Sequence, residues 1–367
     1  MTHTIIVKKN ALEDLAKVLK NLGAKKVLAF TGKKSFEKIR QRFEKALGGV
    51  CASYFSDFTP NPKVEDIELA LKKFSKEKFD AIVAIGGGSP MDFAKLFKVA
   101  YDNNMSAADC FKNLDVLKRK TPLIAIPTTA GTGAESTRFA VVYLNGVKSS
   151  FDSECALPDF ALVDYTLCEN SPRHLKACAA SDALSHAVES YWAVGSTSES
   201  REFAKEAILL CNKSLASYVN SEDEASAKDM ALAANLAGRA INITRTTAAH
   251  ALSYFFTSHH GIAHGQAVAL SLPKLFEKNL ESKNVIDPRG VEFQKAKMAE
   301  LMELMGIKNK DDILPHFKSL FYSIGLETDF KKLEIKDPKL AAQAVNLERL
   351  KNNPVKLSKE ELESFFA

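Results

Sequence analysis

The fold is decided by the stretch Phe79-Asp80-Ala81-Ile82-Val83-Ala84-Ile85-Gly86-Gly87-Gly88-Ser89-Pro90. Its apolar part predicts a buried strand, the glycines predict a tight turn, and Ser89 and Pro90 are typical of the N-cap and first residue of a helix. Glycines let backbone N–H groups approach a phosphate, and a helix N-terminus favours an anion. No Lys-Ser or Lys-Thr pair follows, which argues against a nucleotide-hydrolysing P-loop. A phosphate-binding turn and a ligand-free tight turn both remain open.

Short β-type and helical runs alternate around this stretch. The β-type runs are 4–7 and 26–31, and the helical runs are 14–22, 34–47 and 67–74. Such alternation predicts a parallel sheet with helices on both faces. From about Pro172 onward the patterns are long and helical, as at 202–218 and 225–241, and a capping box at 358–361 opens a last helix. We therefore predict an α/β domain over residues 1–172 and an all-α domain over residues 173–367.

Four side chains in the helical half form a candidate metal site. Asp182 and His186 are four residues apart in a run of helical periodicity, so both project from one helical face. His250 and His264 are fourteen residues apart, which is about 21 Å along a straight helix, so the chain must turn before they can share an ion. The segment 258–261, which ends in Gly261, supplies the helix breaker.

Three imidazoles and one carboxylate suit Fe²⁺ or Zn²⁺, and Mn²⁺, Co²⁺ and Ni²⁺ are also compatible. This set leaves an open coordination position for a substrate. The four ligands alone do not choose the metal. The alternative is that Asp182 and His186 form an internally hydrogen-bonded or solvated pair.

A third segment, 127–137, follows an apolar strand at 123–126 and is rich in small hydroxyl residues that can bond a carboxamide or a ribose. In this order the three segments resemble the metal-dependent, iron-containing (group III) alcohol dehydrogenases, from about Lys25 to His264. Within that family, the stretches 58–63, 136–141 and 233–250 look most similar to phosphonoacetaldehyde reductases, which make 2-hydroxyethylphosphonate.

The resemblance implies a dehydroquinate synthase-like fold whose sheet differs from the usual Rossmann order. It places the dinucleotide on the α/β domain and the metal, Fe²⁺ first and Zn²⁺ second, on the helical domain, with the active site in the cleft between them. It also suggests a homodimer. Residue by residue, it assigns the pyrophosphate to Gly86, Gly87, Gly88 and Ser89, the nicotinamide end to Thr128 and Thr129, and the nearby ribose to Lys148.

Cofactor choice depends on the end of the strand at 26–31. NAD-preferring relatives often place an aspartate there, whereas this chain has Gly32 followed by Lys33 and Lys34. Without an acid to repel a 2′-phosphate, NADPH is expected to be preferred over NADH. The alternative is that both lysines point to solvent.

Three residues are candidates for roles toward the substrate. Tyr254 stands four residues after His250, where many relatives carry a histidine thought to relay protons, and His260 is a possible substitute. Arg245 differs from the glycine or apolar residue of general alcohol dehydrogenases and can grip a phosphonate bidentately. Arg138 is a second anion candidate, but we interpret it chiefly as structural.

The expected function is metal-dependent, NAD(P)H-linked reduction of an aldehyde, with phosphonoacetaldehyde as the substrate and the metal polarising its carbonyl. One alternative is a broad reductase of neutral short-chain aldehydes with Arg245 facing away. Another is the chemistry of dehydroquinate synthase, whose ligand set normally includes a glutamate, so that Asp182 and His186 argue against it. A third is a catalytically inactive binding or scaffold protein.

Composition indicates an ordinary globular protein. The 367 residues are 46% hydrophobic and 26% charged. The net charge of +5 suits an anionic small substrate, but the sequence has no basic stripe of the kind that binds nucleic acid. No apolar run is long enough to span a membrane, and the first residues lack a secretory pattern. The six scattered cysteines predict reduced thiols. We expect a cytoplasmic protein without membrane or nucleic-acid partners.

Overall fold

The computed structural model describes residues 3–169, 171–221, 223–281, 283–345 and 347–366. The chain divides into two compact units. The first comprises Met1–Thr129 and Gly133–Ser171, and the second comprises Ala130–Thr132 and Pro172–Ala367. An α/β unit is thus followed by a helical unit, which confirms the fold class predicted from the sequence.

The first unit is built on a six-stranded parallel sheet and a two-stranded antiparallel hairpin. Its strands are β1 (Thr4–Lys8), β2 (Lys26–Thr31), β3 (Cys51–Phe55), β4 (Ala81–Gly86), β5 (Leu123–Pro127), β6 (Phe139–Leu144), β7 (Val147–Asp152) and β8 (Phe160–Asp164). Its helices are α1 (Leu15–Asn21), α2 (Lys33–Glu37), α3 (Arg40–Ala46), α4 (Val64–Phe74), α5 (Gly88–Asn103), α6 (Ala107–Cys110) and α7 (Tyr165–Glu169). The six-stranded sheet has the order β1-β8-β5-β4-β2-β3, and β6 pairs with β7.

The parallel sheet is buried on both faces, which explains why its central strands are apolar without alternation. Every residue of β4 and β5 is buried. One face packs on α4 and α5 around an aromatic cluster that includes Phe30, Phe93 and Phe97, whose ring centres lie 4.8–5.1 Å from that of Phe30. Residues of the opposite parity, such as Val83, pack on the other face. The sheet therefore holds the carboxyl ends of β2, β4 and β5 side by side.

The structure corrects two local predictions in this unit and adds a hairpin. The helical run at 34–47 is two helices, α2 and α3, because the chain bends after Glu37. Ser89 is not the N-cap of α5: the helix begins at Gly88, and the Ser89 hydroxyl accepts a hydrogen bond from the Asn61 backbone N–H at 3.2 Å. The β6–β7 hairpin was not predicted, since its turn at Asn145 and Gly146 joins strands of mixed polarity.

The second unit is helical. Its helices are α8 (Arg173–Trp192), α9 (Ser198–Asn220), α10 (Glu224–Thr244), α11 (Ala248–His260), α12 (His264–Ala269), α13 (Leu272–Asn279), α14 (Val291–Leu304), α15 (Ile313–Ser323), α16 (Leu340–Ala344), α17 (Leu347–Leu350) and α18 (Lys359–Ser364). Helices α9 and α10 confirm the long helical runs, and the capping box of α18 forms as predicted. The part of this unit that the structure describes contains only an isolated bridge between Val285 and Val355 as β-structure.

Helix α8 is the centre of the second unit, with α9, α10 and α12 packed around it. All but one of its residues from Lys176 to Trp192 are buried, so polar side chains on this helix need partners inside the protein. No helix in the described ranges is long and apolar enough to cross a membrane. All six cysteines have free thiols, as the sequence predicted.

Candidate metal centre

The four predicted ligands meet inside the second unit. The Nε2 atoms of His250, His264 and His186 lie 3.4, 3.8 and 4.0 Å from Asp182 Oδ1. Asp182, His186 and His250 offer ligand atoms that all lie within 4.8 Å of one another. These three side chains are buried, whereas that of His264 is 32% exposed and leaves one side of the group open.

The local sequence explains how two distant histidines reach one helix. Helix α11 carries His250 in its first turn and ends at His260, after which Gly261 adopts the left-handed conformation with φ 66°. The chain then re-enters helix α12 at His264. Gly265 lies against the backbone carbonyl of Cys178 on α8, so closely that any Cβ there would collide with it. This close approach brings His264 to Asp182.

The donor set fits a divalent transition-metal ion. Ligand atoms around a tetrahedral ion at ordinary metal–nitrogen distances are about 3.4 Å apart, so small side-chain shifts would bring all four onto one ion. The imidazole rings are already ordered toward one another: those of His186 and His250 stack at 4.4 Å, and that of His264 lies edge-on to His250 at 5.3 Å. Nitrogen and carboxylate donors suit Fe²⁺ and Zn²⁺ alike.

Glu189 was missed by the sequence analysis and completes this group. It is fully buried on α8, and although burial would raise its pKa, the charge of His250 and the hydrogen bonds from His250 and Thr247 lower it. Its Oε2 accepts from Nδ1 of His250, which would leave Nε2 as the atom available to a metal ion. Its Oε1 accepts from the Thr247 hydroxyl at 2.6 Å and the Ala249 N–H at 2.9 Å, at the start of α11. The available signal was its position seven residues after Asp182 on the same helical face.

The charges of the side chains in this group favour binding of a cation. Burial alone would lower the pKa of His250, but Glu189 and Asp182 raise it to about 9. Burial lowers the pKa of His186 to about 4, although Asp182 opposes this shift. Burial would raise the pKa of Asp182, but the surrounding imidazoles, His186 first, lower it. The ionised carboxylates of Asp182 and Glu189 are thus both buried beside His250. A metal ion that binds Nε2 of His250 would displace the proton from that atom.

The three candidates for substrate roles lie in different places. The Tyr254 ring is 6.4 Å from that of His264, beside the metal centre. His260 is exposed at the last residue of α11, its ring packs near Phe255 and Phe256, and the structure does not bring it into contact with the ligand cluster. Arg245 is exposed at the C-terminal end of α10, where its φ of 62° is a conformation that favours glycine.

Arg349, which the sequence analysis did not identify, contacts Tyr254. Arg349 Nη1 donates a hydrogen bond to the Tyr254 hydroxyl at 2.5 Å, and its guanidinium lies 4.6 Å from the ring centre. Nothing in the local sequence of α17 indicates this contact, because the two residues are 95 positions apart.

The predicted cofactor residues that follow β4 and β5 lie at the carboxyl edge of the sheet in the first unit. The Thr128 N–H donates to the Gly86 carbonyl at 2.9 Å, and the Thr129 side chain lies beside Gly87. The strand connections reverse direction between β2 and β4, which is where open α/β sheets bind ligands. Lys148 is half-buried on β7.

The same edge carries the residues expected to choose the cofactor. Gly32 is the N-cap of α2, immediately after β2. The Lys33 ammonium pairs with Asp57 at 3.0 Å, and both side chains are exposed. The sequence analysis did not foresee this acid. The Lys34 side chain lies outside the part of the chain that the structure describes.

Arg138 is structural, as interpreted from the sequence. Its guanidinium bonds Asp152 at 2.7 Å and Glu154 at 2.6 Å and so fastens the β6–β7 hairpin.

Comparison with known proteins covers both units. A family model for iron-containing alcohol dehydrogenases matches residues 2–165, and its C-terminal counterpart matches residues 176–367. Long-chain-alcohol dehydrogenase 1 of Geobacillus thermodenitrificans is 35% identical over 72% of this chain and 68% of its own length. Phosphonoacetaldehyde reductase of Streptomyces viridochromogenes is 32% identical over 77% of this chain and 74% of its own length. The crystal structure of sulfoacetaldehyde reductase from Bifidobacterium kashiwanohense in complex with NAD⁺ superposes with a TM-score of 0.87 at 28% identity, over 100% of this chain and 96% of that one.

Proposed function

Because the chain belongs to the iron-containing alcohol dehydrogenase family and is an oxidoreductase acting on CH–OH groups, we propose that it reduces a short aldehyde with an anionic group to the primary alcohol, using NADPH. Phosphonoacetaldehyde is the first candidate substrate. The observation that carries the proposal is the convergence of three imidazole Nε2 atoms on Asp182 Oδ1.

The reaction adds a hydride to the carbonyl carbon and a proton to the carbonyl oxygen while the C=O π bond breaks. When bound, a divalent ion held by Asp182, His186, His250 and His264 supplies Lewis acidity, and a reduced nicotinamide supplies the hydride. Glu189 orients His250 through Nδ1.

We assign the proton donation to Tyr254, whose ring lies beside that of His264. The Arg349 guanidinium at its hydroxyl stabilises the phenolate that remains after the proton has left. A water molecule or another neighbour must then restore the proton. His260, exposed at the end of α11, is the weaker candidate.

Two relatives support an anionic substrate, because they act on two-carbon aldehydes that carry a phosphonate or a sulfonate. The net charge of +5 points the same way. A broad reductase of neutral aldehydes is the second candidate, favoured by the long-chain-alcohol dehydrogenase relative and by the exposure of Arg245.

For the cofactor we propose NADPH over NADH, with Gly32 leaving room and Lys33 meeting the 2′-phosphate. The ion pair of Lys33 with Asp57 is exposed, and such pairs are worth only about 0–1 kcal/mol, so a phosphate can replace the carboxylate. We further propose that Gly86, Gly87, Gly88 and Ser89 hold the pyrophosphate, that Thr128 and Thr129 meet the nicotinamide end, and that Lys148 meets its ribose.

The test is a comparison of specificity constants. Protein reconstituted with Fe²⁺ or Zn²⁺ is mixed with NADPH or NADH, and cofactor oxidation is followed with phosphonoacetaldehyde and with propanal. We expect kcat/KM to be at least about tenfold higher for the phosphonate, which is the size of effect that one charge-assisted contact provides. We also expect a lower KM for NADPH than for NADH. Equal or better turnover of propanal would favour the neutral-aldehyde function, and no turnover of either aldehyde would contradict the reductase.

A further inference from the structure

Arg349 is a half-buried cation beside the metal centre. It lies on the short helix α17, and its guanidinium covers the Tyr254 ring at 4.6 Å. That ring is in turn 6.4 Å from the ring of His264. The guanidinium is therefore separated from the His264 ring centre by no more than the sum of these two distances.

Among the residues that the structure describes, no carboxylate forms an ion pair with Arg349. Its hydrogen bond and its cation–π contact are both with Tyr254. Two other partly buried arginines do have a carboxylate partner: Arg289 pairs with Asp287 at 2.7 Å, and Arg119 pairs with Asp159 at 2.8 Å. Because partial burial of an unpaired cation costs free energy, an anion that binds at Arg349 gains more than it would at a matched arginine.

The geometry points to Arg349 as the residue that selects the anionic end of the substrate, an inference that rests on the proposed function. A guanidinium has five N–H donors, and the Tyr254 hydroxyl engages Nη1, so donors remain for two oxygens of a phosphonate or sulfonate. The carbonyl end of a two-carbon substrate would then face His264 and the other ligands. Arg245, the anion clamp expected from the sequence, is less suited because it is exposed at the end of α10.

The contact with Tyr254 makes Arg349 more than a point charge. The phenol receives one N–H of the guanidinium and packs under its plane, so the orientation of the guanidinium is fixed before a substrate arrives. A lysine at this position would keep the charge but lose the planar, two-pronged geometry. Arginine and lysine are therefore expected to differ here, which a simple attraction of opposite charges would not predict.

The experiment compares Arg349→Ala and Arg349→Lys with the unmodified, metal-loaded protein. The matched control is Lys351→Ala. Lys351 lies two residues after Arg349, and its exposed ammonium pairs with Glu348. For each protein, kcat/KM is measured with phosphonoacetaldehyde and propanal, together with metal content and Tm. We expect Arg349→Ala to lower the ratio of the two specificity constants by about 10- to 100-fold, Arg349→Lys to give an intermediate ratio, and Lys351→Ala to leave it unchanged.

A second measurement separates this inference from the proposed function. The inhibition of propanal reduction by 2-hydroxyethylphosphonate is measured for the same proteins. If the unmodified protein reduces propanal but not phosphonoacetaldehyde, the proposed substrate is wrong, and the inhibition constant still decides the role of Arg349. An inhibition constant raised about tenfold or more in Arg349→Ala supports the anion site. Inhibition that is absent from the unmodified protein or unchanged in the variants overturns the inference, as does an equal loss of turnover with both aldehydes.

Discussion

At the residue scale, Glu189 lies outside the proposed ligand set but contacts one of its members, His250. Its carboxylate is buried, holds Nδ1 of His250, and accepts further hydrogen bonds from Thr247 and Ala249. It therefore anchors the start of α11 and the ligand that this helix carries. The bonds of a second-sphere carboxylate to a metal-binding histidine typically contribute a factor of about 10 to 100 in metal affinity.

We predict that Glu189→Gln weakens metal binding by about 10- to 100-fold, because the amide keeps the shape but loses the charge that holds His250. Metal affinity is measured by competition with a chelator, and Glu206→Gln, an exposed site on α9, is the control. A Glu189→Gln protein that binds metal as tightly as the control would show that Glu189 serves only the packing of α11.

The substrate residues illustrate what single-residue reasoning can and cannot find. Tyr254 was identified through the family resemblance, because many relatives carry a histidine at this position, four residues after His250. Arg349 was not recognisable, since its contact with Tyr254 joins positions 95 residues apart. Arg245 was singled out because general alcohol dehydrogenases have a glycine or an apolar residue at this position. Only the structure shows its exposure and its backbone conformation.

At the scale of elements, the contact of α12 with α8 brings the proposed metal ligands together. The contact depends on Gly265, whose missing side chain lets the Cys178 carbonyl approach. The Ser181 hydroxyl adds a hydrogen bond to the Gly265 carbonyl at 3.2 Å. His264 directly precedes this glycine, so its position follows from how closely the two helices pack.

Gly265→Ala is expected to push α12 away from α8 and to displace His264. Overpacking of this kind costs about 1–3 kcal/mol, so Tm should fall, and metal affinity should fall as well because one ligand is lost. Thermal unfolding with and without metal separates the two effects. Metal affinity equal to that of the unmodified protein would contradict the role given to this contact.

The elements themselves were largely predictable. Helical periodicity located α8, α9 and α10, and the glycine at 261 located the break between α11 and α12. The bend between α2 and α3 was missed, and the start of α5 was predicted one residue too late. Hydrophobic periodicity shows which residues face the core, but it does not show where the backbone hydrogen bonds of a helix begin or end. The β6–β7 hairpin was not predicted, because apolar and polar residues do not alternate regularly along its two strands.

At the scale of the whole molecule, each unit contains one set of the proposed site residues. The first gathers its glycine turn and the Thr128 loop at the carboxyl ends of adjacent parallel strands, as nucleotide-binding sheets do. The second gathers the four ligands and Glu189 on three helices. The order of these segments along the chain was enough to indicate the family, whereas the pairing of Glu189 with His250, 61 residues apart, depends on tertiary structure.

The central claim is that Asp182, His186, His250 and His264 hold a metal on which aldehyde reduction depends. The most direct test is to strip the protein with a chelator, add back Fe²⁺ or Zn²⁺ in steps, and record bound metal and NADPH-dependent reduction together, with Asp182→Asn in parallel. We predict that activity rises in proportion to bound metal and saturates near one ion per chain, and that Asp182→Asn gains neither. Full activity in the stripped protein, or an Asp182→Asn protein that binds metal and reduces aldehyde normally, would contradict the claim.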